Sequence, residues 1–358
     1  MQDLDFERLR RIGLSSAVAQ ALFNLASEEE NENARAMRVI EVHRETVQLH
    51  DGERQFAARL LPRLYRALAD EGDAIATGDW VLAEPDAHGG LWVAERLPPL
   101  ASLARRDGDG RRHAVVSNVD TALLVMGLDG DFNPRRLERF LAIVSGSGVW
   151  PVVVLSKADL CADVDASVAL LRERLPADLP VHALDTQSAS AAQALEPYLG
   201  AGQTVVLLGS SGAGKSTLTN TLLGEATQDT GAVRAGDQRG RHTTTARSLH
   251  LLPGGACVID TPGVRTLRPD GDEQVLDAAF ADIASLAAHC RFRDCGHQGE
   301  PGCAVRAAVP ADRLHNFHKL QRELRRDTMT ALDRKQEVSL WKARGRAARV
   351  HMKAKRGE

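Results

Sequence analysis

No apolar run in this 358-residue chain approaches the roughly 18 residues needed to cross a bilayer, so a helical membrane protein is not expected. The stretch Met1 to Gly13 mixes Asp, Glu and Arg and lacks the apolar core of a secretory signal, which makes the cytoplasm the expected compartment. Cysteine is scarce, with five in all, and a disulfide framework is not expected in a cytosolic chain. Internal repeats are missing too, which argues against a solenoid. Net charge is only −3. That near-neutrality hides an asymmetry: residues 312–358 carry 14 Lys/Arg against 6 Asp/Glu, so a basic tail of +8 follows a body of −11. A tail of that kind suits nucleic acid, although a solvated helix face has the same composition.

What is present is a set of nucleotide motifs in an unusual order. Gly209-Ser210-Ser211-Gly212-Ala213-Gly214-Lys215-Ser216 matches G-x-x-x-x-G-K-[ST] in full, between a predicted strand at Thr204 to Leu208 and a predicted helix at Ser216 to Leu223. Glycines let main-chain N–H groups converge on phosphates, Lys215 adds a point charge, and the Ser216 hydroxyl suits Mg²⁺. Thr217 is expected to support the α-phosphate. Downstream, Asp260-Thr261-Pro262-Gly263 offers a carboxylate for the magnesium shell and a Gly263 amide that senses the γ-phosphate. Between them, Gly240-Arg241-His242-Thr243-Thr244-Thr245 sits where a switch threonine closes on Mg²⁺; Thr244 is the candidate. Val264 stands where many GTPases carry a water-positioning Gln, leaving His242 as a candidate to orient water.

Ser156-Lys157-Ala158-Asp159 precedes both motifs, at the end of a predicted strand, Val152 to Leu155. Asp159 can accept from guanine N1 and its exocyclic amine, with the Lys157 stem over the base and residue 156 bracing the loop. In an ordinary GTPase this element comes last.

Domains are expected at 1–35 (a polar, helix-prone arm), 36–104 (an all-β barrel), 112–268 (a mainly parallel α/β sheet with Ser248 to Leu252 and Ala256 to Asp260 as an edge hairpin) and 269–358 (helices around a Cys/His cluster). The barrel's strands, including one at Ile75 to Thr77, fit an OB-type barrel by their count, and an SH3-like barrel nearly as well by pattern. Arg105 to Arg112 reads as a linker. Cys290, Cys295, His297 and Cys303 supply three thiolates and an imidazole, a tetrahedral set for structural Zn²⁺. His289 is adjacent but surplus to that set.

Together with Gly78-Asp79-Trp80, Ala114 to Asp120 and the run Asp131 to Arg139, these motifs resemble the circularly permuted, ribosome small-subunit-dependent GTPases of the RsgA type over residues 36–320. The resemblance implies an OB-fold, a permuted GTPase domain and a zinc domain. It also implies GTP/GDP and Mg²⁺ as ligands, and late maturation of the 30S subunit through 16S rRNA binding. A monomer is expected. Ser156 replaces the usual Asn or Thr, and Ala183-Leu184-Asp185-Thr186 lacks the usual Ser-Ala contact to guanine, so softened base selectivity is expected. The alternative reading is an rRNA-binding assembly scaffold in which nucleotide is mainly structural.

Overall fold

The structure is a computed structural model that describes residues 5–26, 34–86, 89–106, 112–224, 247–261 and 274–328. Two helices, α1 (Phe6–Arg10) and α2 (Ser16–Ala26), come first. They do not behave as a polar arm. Leu9, Ile12, Leu14, Val18 and Leu22 are buried against Trp80, Leu82 and Leu97. Spacing explains the difference, since Val18 and Leu22 lie four positions apart on one face of α2, and Leu14 sits just before its first turn.

The barrel follows: β1 (Arg35–Val42), β2 (Val47–His50), β3 (Gln55–Leu60), α3 (Pro62–Asp70), β4 (Trp80–Pro85) and β5 (Leu91–Arg96). Neighbours run β1-β2-β3-β5-β4 and close back onto β1, with β3 and β5 parallel. That closure, with a helix between β3 and β4, selects the OB-type barrel. Inward residues Met37, Val39, Leu49, Val81 and Val93 pack with Leu64 and Leu68 of α3. Ile75 to Thr77 is not a strand. The Asp79 carboxylate takes the Ala76 amide at 2.8 Å and curls this segment into a turn, leaving Thr77 a single bridge to Val116.

The ends of the expected linker are strand instead: Arg105 and Arg106 belong to β6 (Ser102–Arg106) and Arg112 to β7 (Arg112–Ser117), which pair antiparallel, while residues 107–111 lie outside the described residues. Then come β8 (Thr121–Gly127), α4 (Pro134–Ser145), β9 (Trp150–Ser156), α5 (Val164–Arg172), β10 (Val181–Ala183), α6 (Ala189–Leu195), β11 (Thr204–Leu208) and α7 (Lys215–Leu223), followed by β12 (Ser248–Leu251) and β13 (Cys257–Asp260). Asn133 caps α4 by accepting the Arg136 amide at 3.2 Å, and Pro134 begins the helix at fixed φ. The sheet order is β10-β9-β8-β11-β13-β12, parallel except for β12. β8 is buried throughout, as a central strand covered on both faces requires. The β12–β13 hairpin does not end the sheet, because Ser248 of β12 pairs with Glu41 of β1. Barrel and nucleotide sheet therefore form one ladder.

Arg38 reinforces that junction. Its fully buried guanidinium donates to Ile12 O at 2.6 Å, Thr204 Oγ1 at 2.8 Å and Asn118 O at 2.8 Å. One side chain thus holds the N-terminal helices, the barrel and β11.

Helices α8 (Gln274–Ala279), α9 (Ala281–Ala287), α10 (Ala304–Ala308) and α11 (Ala311–Thr328) close the described chain. Phe280, Ile283, Val305 and Leu320 share one core with Leu141 and Val144 of α4.

Candidate nucleotide site and metal cluster

Three parallel strands, β9, β11 and β13, deliver the motifs at their C-terminal ends, where ligands gather in α/β sheets. Gly209 leaves β11 directly over β8. A Cβ there would lie 2.3 Å from Val125 O, so only glycine fits. Gly212 and Gly214 take positive φ, 82° and 90°, and curl the loop into the start of α7. Ser211 and Gly212 face solvent, whereas Ala213 is buried. Lys215 is 7% exposed, and its Nζ donates to Gly209 O at 3.0 Å and Ser210 O at 2.7 Å. Burial pulls its pKa below the ordinary lysine value, against the opposing pull of Asp260 and Asp131. Thr217 lies half-buried in the first turn of α7.

Asp260 ends β13 with its Oδ2 3.5 Å from the Ser216 hydroxyl. Its Oδ1 is buried and has no hydrogen-bond partner among the described residues. An orphaned carboxylate oxygen beside a hydroxyl suits a divalent cation, because a buried acceptor otherwise goes unpaired at a cost. Thr261 Oγ1 donates to Leu207 O at 2.6 Å and fixes the chain leaving β13. His242, Thr244, Gly263 and Val264 lie outside the described residues.

On the base side, the fully buried Ser156 donates its hydroxyl to Ala213 O at 2.6 Å. The shorter side chain therefore braces the phosphate loop directly. Lys157 adopts the left-handed region (φ 58°, ψ 36°), a conformation that costs a non-glycine residue about 1 kcal/mol. Ala158 begins a 3-10 turn and donates its amide to Leu184 O at 3.3 Å. Asp159 stands exposed in that turn. The Ala183 to Thr186 segment also touches the phosphate-loop helix, since Thr221 Oγ1 donates to Thr186 O at 2.7 Å.

Two residues of this site have no counterpart in the linear motifs. Asp129 takes the Lys157 ammonium at 2.6 Å, and Asp131 accepts the Ser210 hydroxyl while pairing with Arg136. Asp131 falls within the resembling run Asp131 to Arg139, but nothing in the sequence marks its partner.

The Cys290, Cys295, His297 and Cys303 donors lie within 4.8 Å of one another. His297 Nδ1 is 3.6 Å from Cys290 Sγ and 3.4 Å from Cys303 Sγ, and the two sulfurs are 3.9 Å apart. The set suits one tetrahedral cation with no open position. His297 needs a left-handed backbone, φ 57°, to turn its ring inward. Glu300 shapes the same loop by accepting the amides of Gly296, Gln298 and Gly299 at 2.8–2.9 Å, and amides including its own hold its pKa down to about 2. Arg291 N reaches Gly302 O at 3.1 Å and closes the knuckle. Cys303 then caps α10 by accepting the Arg306 amide at 3.4 Å.

The cluster is tied back to the sheet through α11. Glu138 of α4 is fully buried and accepts from Arg313 at 2.7 Å, Arg174 at 2.8 Å and Asn316 at 2.6 Å. Arg313 also holds Asp282 of α9 at 2.6 and 2.9 Å.

A phosphate loop in mid-chain, a base-reading strand placed before it and a barrel laced to the sheet define a circularly permuted GTPase fold. The solved YjeQ of Thermotoga maritima is similar at TM-score 0.59 and 25% identity, covering 81% of this chain and 98% of that one. YloQ, a circularly permuted GTPase, shares the fold at TM-score 0.57 and 21% identity, over 85% of this chain and 99% of that one. The family model described as RsgA GTPase matches residues 97–269. A relative from Xylella fastidiosa, named small ribosomal subunit biogenesis GTPase RsgA, is 50% identical over 299 residues, covering 81% of this chain and 86% of that protein. A relative of the same name from Xanthomonas oryzae is 46% identical over 295 residues, 80% of each chain. The chain belongs to the RsgA family of circularly permuted GTPases.

Proposed function

We propose that this protein hydrolyses GTP to GDP and phosphate during maturation of the small ribosomal subunit, the role in the names of its relatives. One observation carries the reading: the Gly209 to Ser216 loop, the orphaned Asp260 oxygen and the Lys157–Asp159 turn meet on one rim of the sheet. The loop amides and Lys215 bind the phosphates, with Thr217 beside the α-phosphate, and Asp159 selects guanine. Ser216 and Asp260 would hold Mg²⁺, which neutralises charge on the β- and γ-oxygens when bound. Thr244 closes over that side, Gly263 senses the γ-phosphate and His242 orients the attacking water.

The cysteine–histidine knuckle would hold one structural Zn²⁺, coupling metal binding to folding of this module. The barrel and the basic segment from residue 312 onward bind 16S rRNA through phosphate contacts, so binding weakens as salt rises. The protein acts in the cytoplasm as a monomer. Because Val264 cannot orient water, contact with the 30S subunit completes the hydrolytic arrangement and the γ-phosphate state is passed to the zinc module.

The test is GTP turnover by the purified protein with and without 30S subunits. Turnover rises on adding subunits and is abolished in Lys215→Ala. A rate indifferent to subunits overturns the stimulation; turnover surviving Lys215→Ala overturns the assignment of the phosphate site.

A further inference from the structure

The turn between β8 and α4 belongs to none of the nucleotide motifs, yet it touches two of them. Asp129 Oδ1 accepts the Asp131 amide at 3.0 Å, which pins the carboxylate over Gly127. A Cβ at Gly127 would come within 2.6 Å of that oxygen, so the strand end is bare where the carboxylate lies. The second oxygen, Oδ2, is left to the Lys157 ammonium at 2.6 Å. Two residues on, Asp131 accepts the Ser210 hydroxyl and is braced by Arg136, which locks the turn to the phosphate loop. Burial pushes the Asp129 carboxyl up, but the Lys157 hydrogen bond and the Asp131 amide outweigh it and hold the pKa below the usual aspartate value. The carboxylate is therefore charged, fixed, and aimed at a lysine whose own backbone is held in the left-handed region.

We propose that Asp129 is a positioning residue for the purine: it draws the Lys157 ammonium to the side of the site, so that the aliphatic stem of Lys157 forms a flat wall over the base. This rests on the reading of Ser156 to Asp159 as the guanine-binding element. The wall contacts the ring face and is blind to ring substituents, whereas Asp159 reads the substituted edge. Asp129 thus sets how tightly a purine is held, and Asp159 sets which purine is held. A partner 28 residues away in sequence divides affinity from selectivity.

The experiment measures GDP, IDP, XDP and ADP affinities for wild type, Asp129→Asn, Lys157→Met and the double variant, with single-turnover GTP hydrolysis alongside. Asp129→Asn weakens GDP and IDP by the same factor, about three- to tenfold, as expected for one partly exposed charge-assisted hydrogen bond. Its half-saturating GTP concentration rises by that factor while the rate at saturation falls far less, and Asp129→Glu recovers part of the loss. Added to Lys157→Met, the Asp129→Asn change has no further effect. Asp159→Asn instead shifts preference towards XDP. GDP affinity of Asp129→Asn within twofold of a guanine-selective wild type overturns the proposal alone, as does a penalty that persists undiminished beside Lys157→Met. A wild type that holds ADP as tightly as GDP overturns the base-site reading and the proposal together.

Discussion

Arg313 of α11 donates to Glu138 of α4 across 2.7 Å, with both side chains almost fully withdrawn from solvent. Arg313 also lies over the Phe280 ring, 4.7 Å from its centroid, and grips Asp282 with two nitrogens. The helix beyond the metal knuckle is therefore fastened to the same helix whose Arg136 holds Asp131, the acceptor of the Ser210 hydroxyl.

Glu138→Ala would leave two arginines and an asparagine without their shared acceptor inside a core. Removing one member of a buried ion pair costs about 3–5 kcal/mol, so a loss of about 3 kcal/mol is expected. Urea unfolding measures it. Glu138→Gln, which keeps an acceptor oxygen and the volume, should lose clearly less; equal losses would mean that the charge alone carries the contribution.

Gly209→Ala is expected to abolish nucleotide binding while the protein stays folded. The added methyl would press on Val125 O of β8, and the loop can relieve that only by lifting its amides away from their common focus. Fluorescent GDP binding together with circular dichroism checks both halves of this expectation.

Stripping metal with a chelator should release the knuckle. Cys303 both joins the cluster and caps α10, so helix content falls with the metal, and readdition of zinc restores it. Amide exchange localised to residues 290–309 would follow the loss. Unchanged protection there would disconnect the cluster from folding.

Acid should weaken the barrel through Asp73. Burial pushes this carboxyl up, but hydrogen bonds from Arg96 and the Ala74 amide hold its pKa below the ordinary 3.8. A depressed aspartate contributes stability that is fully present above the unfolded value and is lost as pH falls through the folded one. Wild type should therefore lose stability more steeply than Asp73→Asn as pH falls below about 4. Parallel pH curves would remove Asp73 from the acid response.

Much of this architecture was legible because single segments announced it. The unbroken apolar run of β8 reads as a buried strand, and Asn133-Pro134 reads as a helix start. The phosphate loop and the metal cluster were legible for the same reason, since each is a local pattern of residues. Features that depend on distant partners were not. Leu14, Val18 and Leu22 are overshadowed by the charged residues on either side of their segment, and Trp80 and Leu97, which cover them, lie far along the chain. Arg105, Arg106 and Arg112 read as a linker because their strand pairing joins residues from two separate segments. Asp131 and Ser210 are 79 positions apart, and only the sheet brings them together.

The pairing of Ser248 with Glu41 carries its own corollary. The strand that ends in Asp260 is laced to β12 along its length, and β12 reaches the barrel wall at Ser248. If the site is filled as proposed, a shift of that strand would reach the barrel through main-chain hydrogen bonds rather than across a loop.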